Sequence, residues 1–371
     1  MTAADRYLEN SGASPEKYVA GAFNDHDVVF LGEYHRIRSQ VELVARLIPR
    51  LHASGITVLA TEFARRIDQE LLDRLLTGAT WNEELAREIT FRNFVFWGYQ
   101  EYVDVYKAAW QVNQSLRADE EPFRVVALNN APDWSVLESP EDRDDPELRR
   151  AVWRGETEAN WAAVVLDLIE EGEKVLVYSG IHHAFTGYRQ PIYDVPTDQF
   201  RGFARDRMGN HVYRAIGDRA MTIYMHAPWV SAEGYGAPDV HPVDGAIDLI
   251  MAAAPEGTWP VAFDTAGTPF GGLSAETSFY TYGHEDFTLA DFCDGYIFLE
   301  PFAEVEGVTP IPNFINESNI EVARAQSPNP AFRDASIHRF NEAIASDADM
   351  ARRVRHLILR QQGRRGKGPK D

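Results

Sequence analysis

Val28-Val29-Phe30-Leu31-Gly32-Glu33-Tyr34-His35 is an apolar run that stops abruptly at a glycine, a carboxylate and an imidazole. Four large apolar residues in succession read as a strand buried on both faces, and Gly32 lets the backbone turn where the polar residues begin. Downstream, Val41, Val44, Leu47, Ile48 and Leu51 recur at helical spacing between Gln40 and His52, with Pro49 inside the pattern and Ser54-Gly55 closing it. Ile56 to Ala60 is then a second buried strand, with Glu62 at its end. Strand, helix and strand within about 35 residues form a βαβ unit, whose strands are parallel and joined by a right-handed crossover. The expected class is α/β: a mostly parallel central sheet with helices on both faces.

Working outward, Ile67 to Trp110 is helical in pattern and dense in rings: Phe91, Phe94, Phe96, Trp97, Tyr99, Tyr102, Tyr106 and Trp110. We read residues 66–118 as a helical insertion whose aromatics pack a core or, at Trp97, face a substrate. Phe123 to Leu128 is a third strand ending in Asn129-Asn130. An acidic loop, Glu138 to Glu147, leads into one long helix from Leu148 to Glu171. Lys174 to Tyr178 is a fourth strand ending in Ser179-Gly180-Ile181-His182-His183. The second half continues with strands at Met221 to Met225, Trp259 to Phe263 and Gly295 to Leu299, a helix at Val243 to Ala253, and Gly- and Pro-rich loops such as Tyr235 to Pro242. No repeat or long polar linker forces a boundary, so residues 1–350 are expected to form one α/β domain. Residues 351–371 read as a basic helix and solvated tail.

The chain has 371 residues, is 44% hydrophobic and carries a formal net charge of -21. That charge repels phosphates at long range, which excludes a general nucleic-acid or anionic-membrane surface. Cys293 is the single cysteine, so no intrachain disulfide forms, and the acidic Asp291 and Asp294 beside it disfavour a thiolate nucleophile. No apolar segment approaches the roughly 20 residues of a membrane span, and the first residues lack a leader pattern. A cytoplasmic location is the expectation; oligomeric state is open.

The chemistry-bearing residues cluster by position. In open α/β sheets ligands bind beyond the C-terminal ends of parallel strands. The first five apolar runs end in Glu33 and His35, Glu62, Asn129 and Asn130, His182 and His183, and His226. Each of these side chains is of a type that can bind a metal, move a proton or hold a polar substrate; a chain that needed only turns there favours Gly, Asp, Asn or Ser. Two chemistries use such a set: a histidine base oriented by a carboxylate, or a divalent metal that activates water. The metalloprotease helix motif, the phosphate-binding glycine loop and the serine-hydrolase elbow are absent from the sequence.

Gly32-Glu33-Tyr34-His35, Thr61-Glu62-Phe63, Ala127 to Pro132 and Gly180-Ile181-His182-His183-Ala184 resemble the superfamily that joins erythromycin esterases, ChaN-like haem-uptake proteins and Tiki/TraB metalloproteases. The likeness covers residues 25 to 200. Its first motif, with one residue between Glu and His, is nearer the ChaN-like form than the esterase form. The resemblance implies a single α/β domain with helical insertions and a cleft at the strand ends. By motif, Glu33, His35, Glu62 and His183 correspond to the catalytic residues; from their positions in the chain, Tyr34, Asn130, His182, Trp97 and His226 are expected around the substrate.

The expected function is therefore hydrolysis of an ester or amide of a bulky small molecule or peptide. In a metal-free version His35 activates water, Glu62 orients it and His183 serves the leaving group. In a metal version Glu33, Glu62 and His183 ligate a divalent ion and His35 stands behind them. The cofactor is undetermined by the sequence: a divalent metal ranks ahead of haem. The rival readings are a protein that binds haem or another hydrophobic ligand, anchored by Tyr34, His35 or His183, and a biosynthetic tailoring enzyme that dehydrates or cyclises with the same base and acid.

Overall fold

The computed structural model of the chain describes residues 2–139, 141–142, 145–155, 157–194, 199–234 and 236–365. Its strands in chain order are β1 (Val28–Glu33), β2 (Val58–Arg65), β3 (Arg124–Asn129), β4 (Val175–Gly180), β5 (Pro191–Asp194), β6 (Gln199–Phe203), β7 (Ala220–Met225), β8 (Val261–Asp264) and β9 (Gly295–Phe298). Seven of them make the mostly parallel central sheet of an α/β fold; β5 and β6 form a separate antiparallel pair. The chain divides into two compact units, one of Met1–Gln40, Gly180–Gly307 and Met350–Asp371, the other of Val41–Ser179 and Val308–Asp349.

In the first unit β1 runs parallel to β7 from Val28 opposite Ala220 to Gly32 opposite Tyr224, and β7 runs parallel to β9. All six residues of β1 and all six of β7 are buried, as their unbroken apolar runs require. β8 departs from the expected parallel order and lies antiparallel to β9. Nothing in its apolar run encodes direction; that follows from where the connecting chain returns. The β5–β6 hairpin has no counterpart in the sequence reading, because its strands are short and carry no clean alternation.

The second unit orders β3, β2 and β4, all parallel. Here β2 runs past the expected Ala60 end to Arg65 with an irregularity between Thr61 and Arg65, so Glu62 stands inside a strand rather than beyond it. Phe63 extends the strand because its ring packs on Trp97, Tyr102 and Tyr178, with centroids 5.6, 4.7 and 5.1 Å away. The helices Gln69–Thr77, Glu83–Asn93 and Gln100–Gln114 occupy the predicted insertion, and its rings pack a core: Phe96, Trp97, Tyr99, Tyr102 and Tyr106 are all buried. The long helix expected over Leu148 to Glu171 is two helices, Pro146–Trp153 and Thr157–Glu170. Arg154 and Gly155, at φ 55° and 117°, break it, Gly155 in a region that side chains disfavour. The C-terminal helix is Met350–Arg365; the rest of the expected tail, 366–371, lies outside the described residues. Among the described residues no helix is long and apolar enough to cross a membrane.

Candidate active site

The end of β1 is built around a glycine that nothing else replaces. A Cβ on Gly32 would stand 2.4 Å from Ile181 Cδ1 and 3.0 Å from Ile181 Cα, so the strand and the Gly180–Ala184 segment touch only because that side chain is missing. This close approach brings Glu33 and His35 to the same cavity as His182 and His183. The turn after β1 is fixed by Gln40, buried, whose Oε1 accepts from the Tyr34 backbone N–H at 2.9 Å and whose Nε2 donates to the His226 carbonyl at 3.1 Å.

The cavity has a volume of about 510 Å³ and lies wholly within the first unit. Glu33, 1% exposed, sits within 2.6 Å of His35: Oε1 accepts from Nδ1, which places the proton of the neutral imidazole on that nitrogen. The His35 side chain is 40% exposed, so a buried carboxylate orients an imidazole that solvent reaches. Across the lining, His182 Nε2 and the buried Tyr280 hydroxyl are 2.7 Å apart. His183 lines the cavity beside them, half-buried. Tyr34 donates from its hydroxyl to Asp239 Oδ2 at 2.8 Å. Burial, and then the Asp239 carboxylate, push the Tyr34 phenol well above its usual range, so it stays protonated.

Of the residues singled out in the sequence, Glu33, Tyr34, His35, His182 and His183 line this cavity. His226 does not. It is buried in the same unit, with Nδ1 2.7 Å from the Tyr296 hydroxyl and Nε2 3.5 Å from Asp248 Oδ1, while His241 Nδ1 approaches Asp248 Oδ2 at 3.1 Å. Burial raises the Asp248 carboxyl, but His226 and His241 outweigh it and hold the group well below the usual carboxylate range. A strand-end histidine here serves a buried charge cluster because its ring points into the apolar layer against Phe298 and Phe302.

Glu62, Trp97 and Asn130 belong to the second unit. Trp97 is 7% exposed within the ring cluster, which makes it core rather than a cavity wall. Asn130 Nδ2 donates to the Trp153 carbonyl at 3.0 Å and ties the loop after β3 to a helix end. A larger cleft in that unit, about 960 Å³, has no histidine in its lining. Its arginines are already paired, Arg65 with Asp68 at 2.6 Å and Arg92 with Glu88 at 2.6 Å. Size alone does not mark it as the chemical site.

Among the described residues no three His, Cys, Asp or Glu side chains converge to hold a metal ion. Several cavity residues were invisible to sequence reasoning: Arg36, Asp239, Tyr280, Arg353 and His356. Apart from Arg36, which directly follows the β1 motif, none follows an apolar strand run, and the last two sit on a helix that reads as solvated.

Residues 19–171 match the family of haem-binding uptake, Tiki superfamily, ChaN proteins. The ChaN-like resemblance read from the strand-end motifs is borne out over those residues, which include Glu33, Tyr34, His35 and Glu62 and stop short of His182. No curated protein matches the chain. A Bacillus cereus protein, 12% identical, is similar with a TM-score of 0.50 over 83% of this chain and 98% of its own. A succinoglycan biosynthesis protein, 10% identical, gives 0.50 over 81% and 98%. ChaN of Campylobacter jejuni, solved with cofacial haem binding, gives 0.38 at 12% identity over 59% and 88%. At these identities the first two likenesses speak to the α/β fold.

Proposed function

We propose that the protein is a hydrolase of a small-molecule ester or amide, working by acid–base chemistry at the Glu33–His35 pair. The observation that carries this reading is the buried Glu33 carboxylate 2.6 Å from a solvent-reached His35 in a cavity of about 510 Å³. Glu33 holds His35 in the tautomer with its proton on Nδ1 and stabilises the imidazolium when it forms. Water bound at His35 Nε2 loses a proton to that nitrogen as its oxygen attacks the acyl carbon. The acyl–oxygen or acyl–nitrogen bond then breaks, and the leaving alcohol or amine takes a proton from the imidazolium or from His183. One water is consumed, and acid and alcohol or amine are released. The donor sets of the cavity favour this version over the metal-assisted one, since the carboxylate nearest His35 is already its partner.

Initial rates on a panel of chromogenic esters and anilides test the proposal. Turnover above background that falls about 10²–10⁴-fold in His35→Ala, with unchanged circular dichroism, supports it. A wild-type protein that turns over none of the panel, or an alanine variant as active as wild type, sinks it. The mass of the product separates hydrolysis, a gain of one water, from dehydration or cyclisation.

A second reading, haem binding, draws support from the match over residues 19–171, which takes in the cavity residues Tyr34 and His35. Tyr34, kept protonated by burial and Asp239, is a poor iron ligand; His35 through Nε2 and His183 are the residues that would hold the iron. Haem would supply a chromophore and a redox centre to that cavity. A Soret band on titration that disappears in His35→Ala or His183→Ala carries this reading; an unchanged haem spectrum removes it.

A further inference from the structure

The C-terminal helix Met350–Arg365 enters the cavity lining through Arg353 and His356, one helical turn apart and so on one face. His356 anchors that face: its Nε2 donates to the Asp239 carbonyl at 2.6 Å. The Arg353 guanidinium carbon then lies 5.3 Å from the centre of the Tyr34 ring, while the Tyr34 hydroxyl is held by Asp239. A ring face positions a guanidinium without neutralising it. Among the described residues Arg353 makes no ion pair, although the chain carries 57 acidic side chains against 36 basic ones. The two carboxylates of the cavity lining are already engaged, Glu33 by His35 and Asp239 by Tyr34. Arg36 adds positive charge to the same lining and has contacts of its own.

We propose that this cavity selects ligands bearing an oxyacid anion, a carboxylate or a phosphate monoester, and that Arg353 binds that anion beside the Glu33–His35 pair. The planar fork of a guanidinium matches such an anion with two parallel hydrogen bonds, which lysine does not reproduce. In a chain of net charge -21 the surrounding field repels anions, so an anion is held only where a local cation receives it. The ligand class deepens the hydrolase reading and rests on it for turnover, but the binding step stands apart from it.

Two measurements on the full chain keep the two ideas distinguishable. Hydrolysis is compared for 4-nitrophenyl hemisuccinate and its neutral methyl ester. The hemisuccinate is expected to show a kcat/KM at least tenfold higher. Arg353→Gln is expected to raise its KM about tenfold or more with kcat within twofold, Arg353→Lys to recover part of the loss, and Arg355→Gln on the exposed side of the helix to change nothing. Equal kcat/KM for the two esters, or an Arg353→Gln defect shared by both, overturns the proposal. If neither ester is hydrolysed, the hydrolase reading fails and calorimetric titration decides this one. Benzoate or phenyl phosphate should bind wild type at least tenfold tighter than Arg353→Gln, and benzyl alcohol should not discriminate. The tighter of the two anions names the group, and loss of the difference between wild type and variant rejects the site.

Discussion

Glu33 and His35 sit two residues apart at the end of one strand, 2.6 Å from carboxylate oxygen to imidazole nitrogen, with the acid sealed from solvent and the base open to it. Because successive side chains alternate faces in a strand, residues i and i+2 share a side only while extended backbone continues. The turn held by Gln40 lets both side chains reach the one cavity.

Glu33→Gln keeps the size of the side chain and removes the charge that, in the proposed mechanism, stabilises the imidazolium. It should lower kcat by about 10²–10⁴-fold with little change in KM. Steady-state kinetics on whichever ester turns over is the check, and a loss confined to KM would contradict the role given to the carboxylate.

Gly32→Ala places a methyl group 3.0 Å from Ile181 Cα, a backbone atom that cannot swing away as the Ile181 side chain can. Overpacking of this kind costs about 1–3 kcal/mol. Urea unfolding should show that loss, and Gly32→Ala combined with Ile181→Ala should recover only part of it. Full recovery would mean that the Cδ1 contact was the whole obstacle.

Tyr280→Phe removes the hydroxyl 2.7 Å from His182 Nε2 while keeping the ring. Stability should fall by about 1 kcal/mol, the net value of one such hydrogen bond. Loss of activity beyond that of a stability-matched control would put His182 in the reaction; a variant with wild-type melting and kinetics would show the contact to be idle.

Asp248 is buried between His226 and His241 with its carboxyl held below the usual range. A group depressed on folding contributes stability that is complete above its unfolded pKa, about 3.9, and is lost as the pH falls through the folded value. Asp248→Asn should therefore be less stable than wild type by roughly 3 kcal/mol at neutral pH. The gap should narrow as the pH falls below about 4. Unfolding curves between pH 7 and pH 3 test both; a constant gap would mean that the carboxylate charge does not matter.

Legibility followed the range of the interactions. β1, β2, β4, β7 and β9 were readable because double-sided burial demands unbroken apolar runs, and β3 because Val125 to Leu128 is such a run although Val126 is only half-buried. β8 was readable as a strand but its antiparallel direction was not, because a short apolar run has no direction in it. Glu62 was placed at a strand end, yet the strand continues through it because Phe63 finds ring partners 34 to 115 residues away, at Trp97 and Tyr178. The break at Arg154 and Gly155 had its signal in Gly155, overridden by the helical periodicity on either side. His226 was read by the same rule that found His35, and the rule failed because a strand-end position does not say which way the turn throws the side chain.

The sequence by itself determined the α/β class, the parallel strands and the Gly32-Glu33-Tyr34-His35 half of the site, all of which depend on neighbours within a few residues. Only the tertiary structure decided what faces that half. Tyr280 comes 245 residues after His35 and Arg353 a further 73, from segments whose composition suits any solvated loop or helix. A charged helix is the same string of letters whether its arginines meet water or a cavity. The choice belongs to the packing of Val354 and Leu357 on its buried side and to the His356 bond that fixes its rotation, neither of which is written in local pattern.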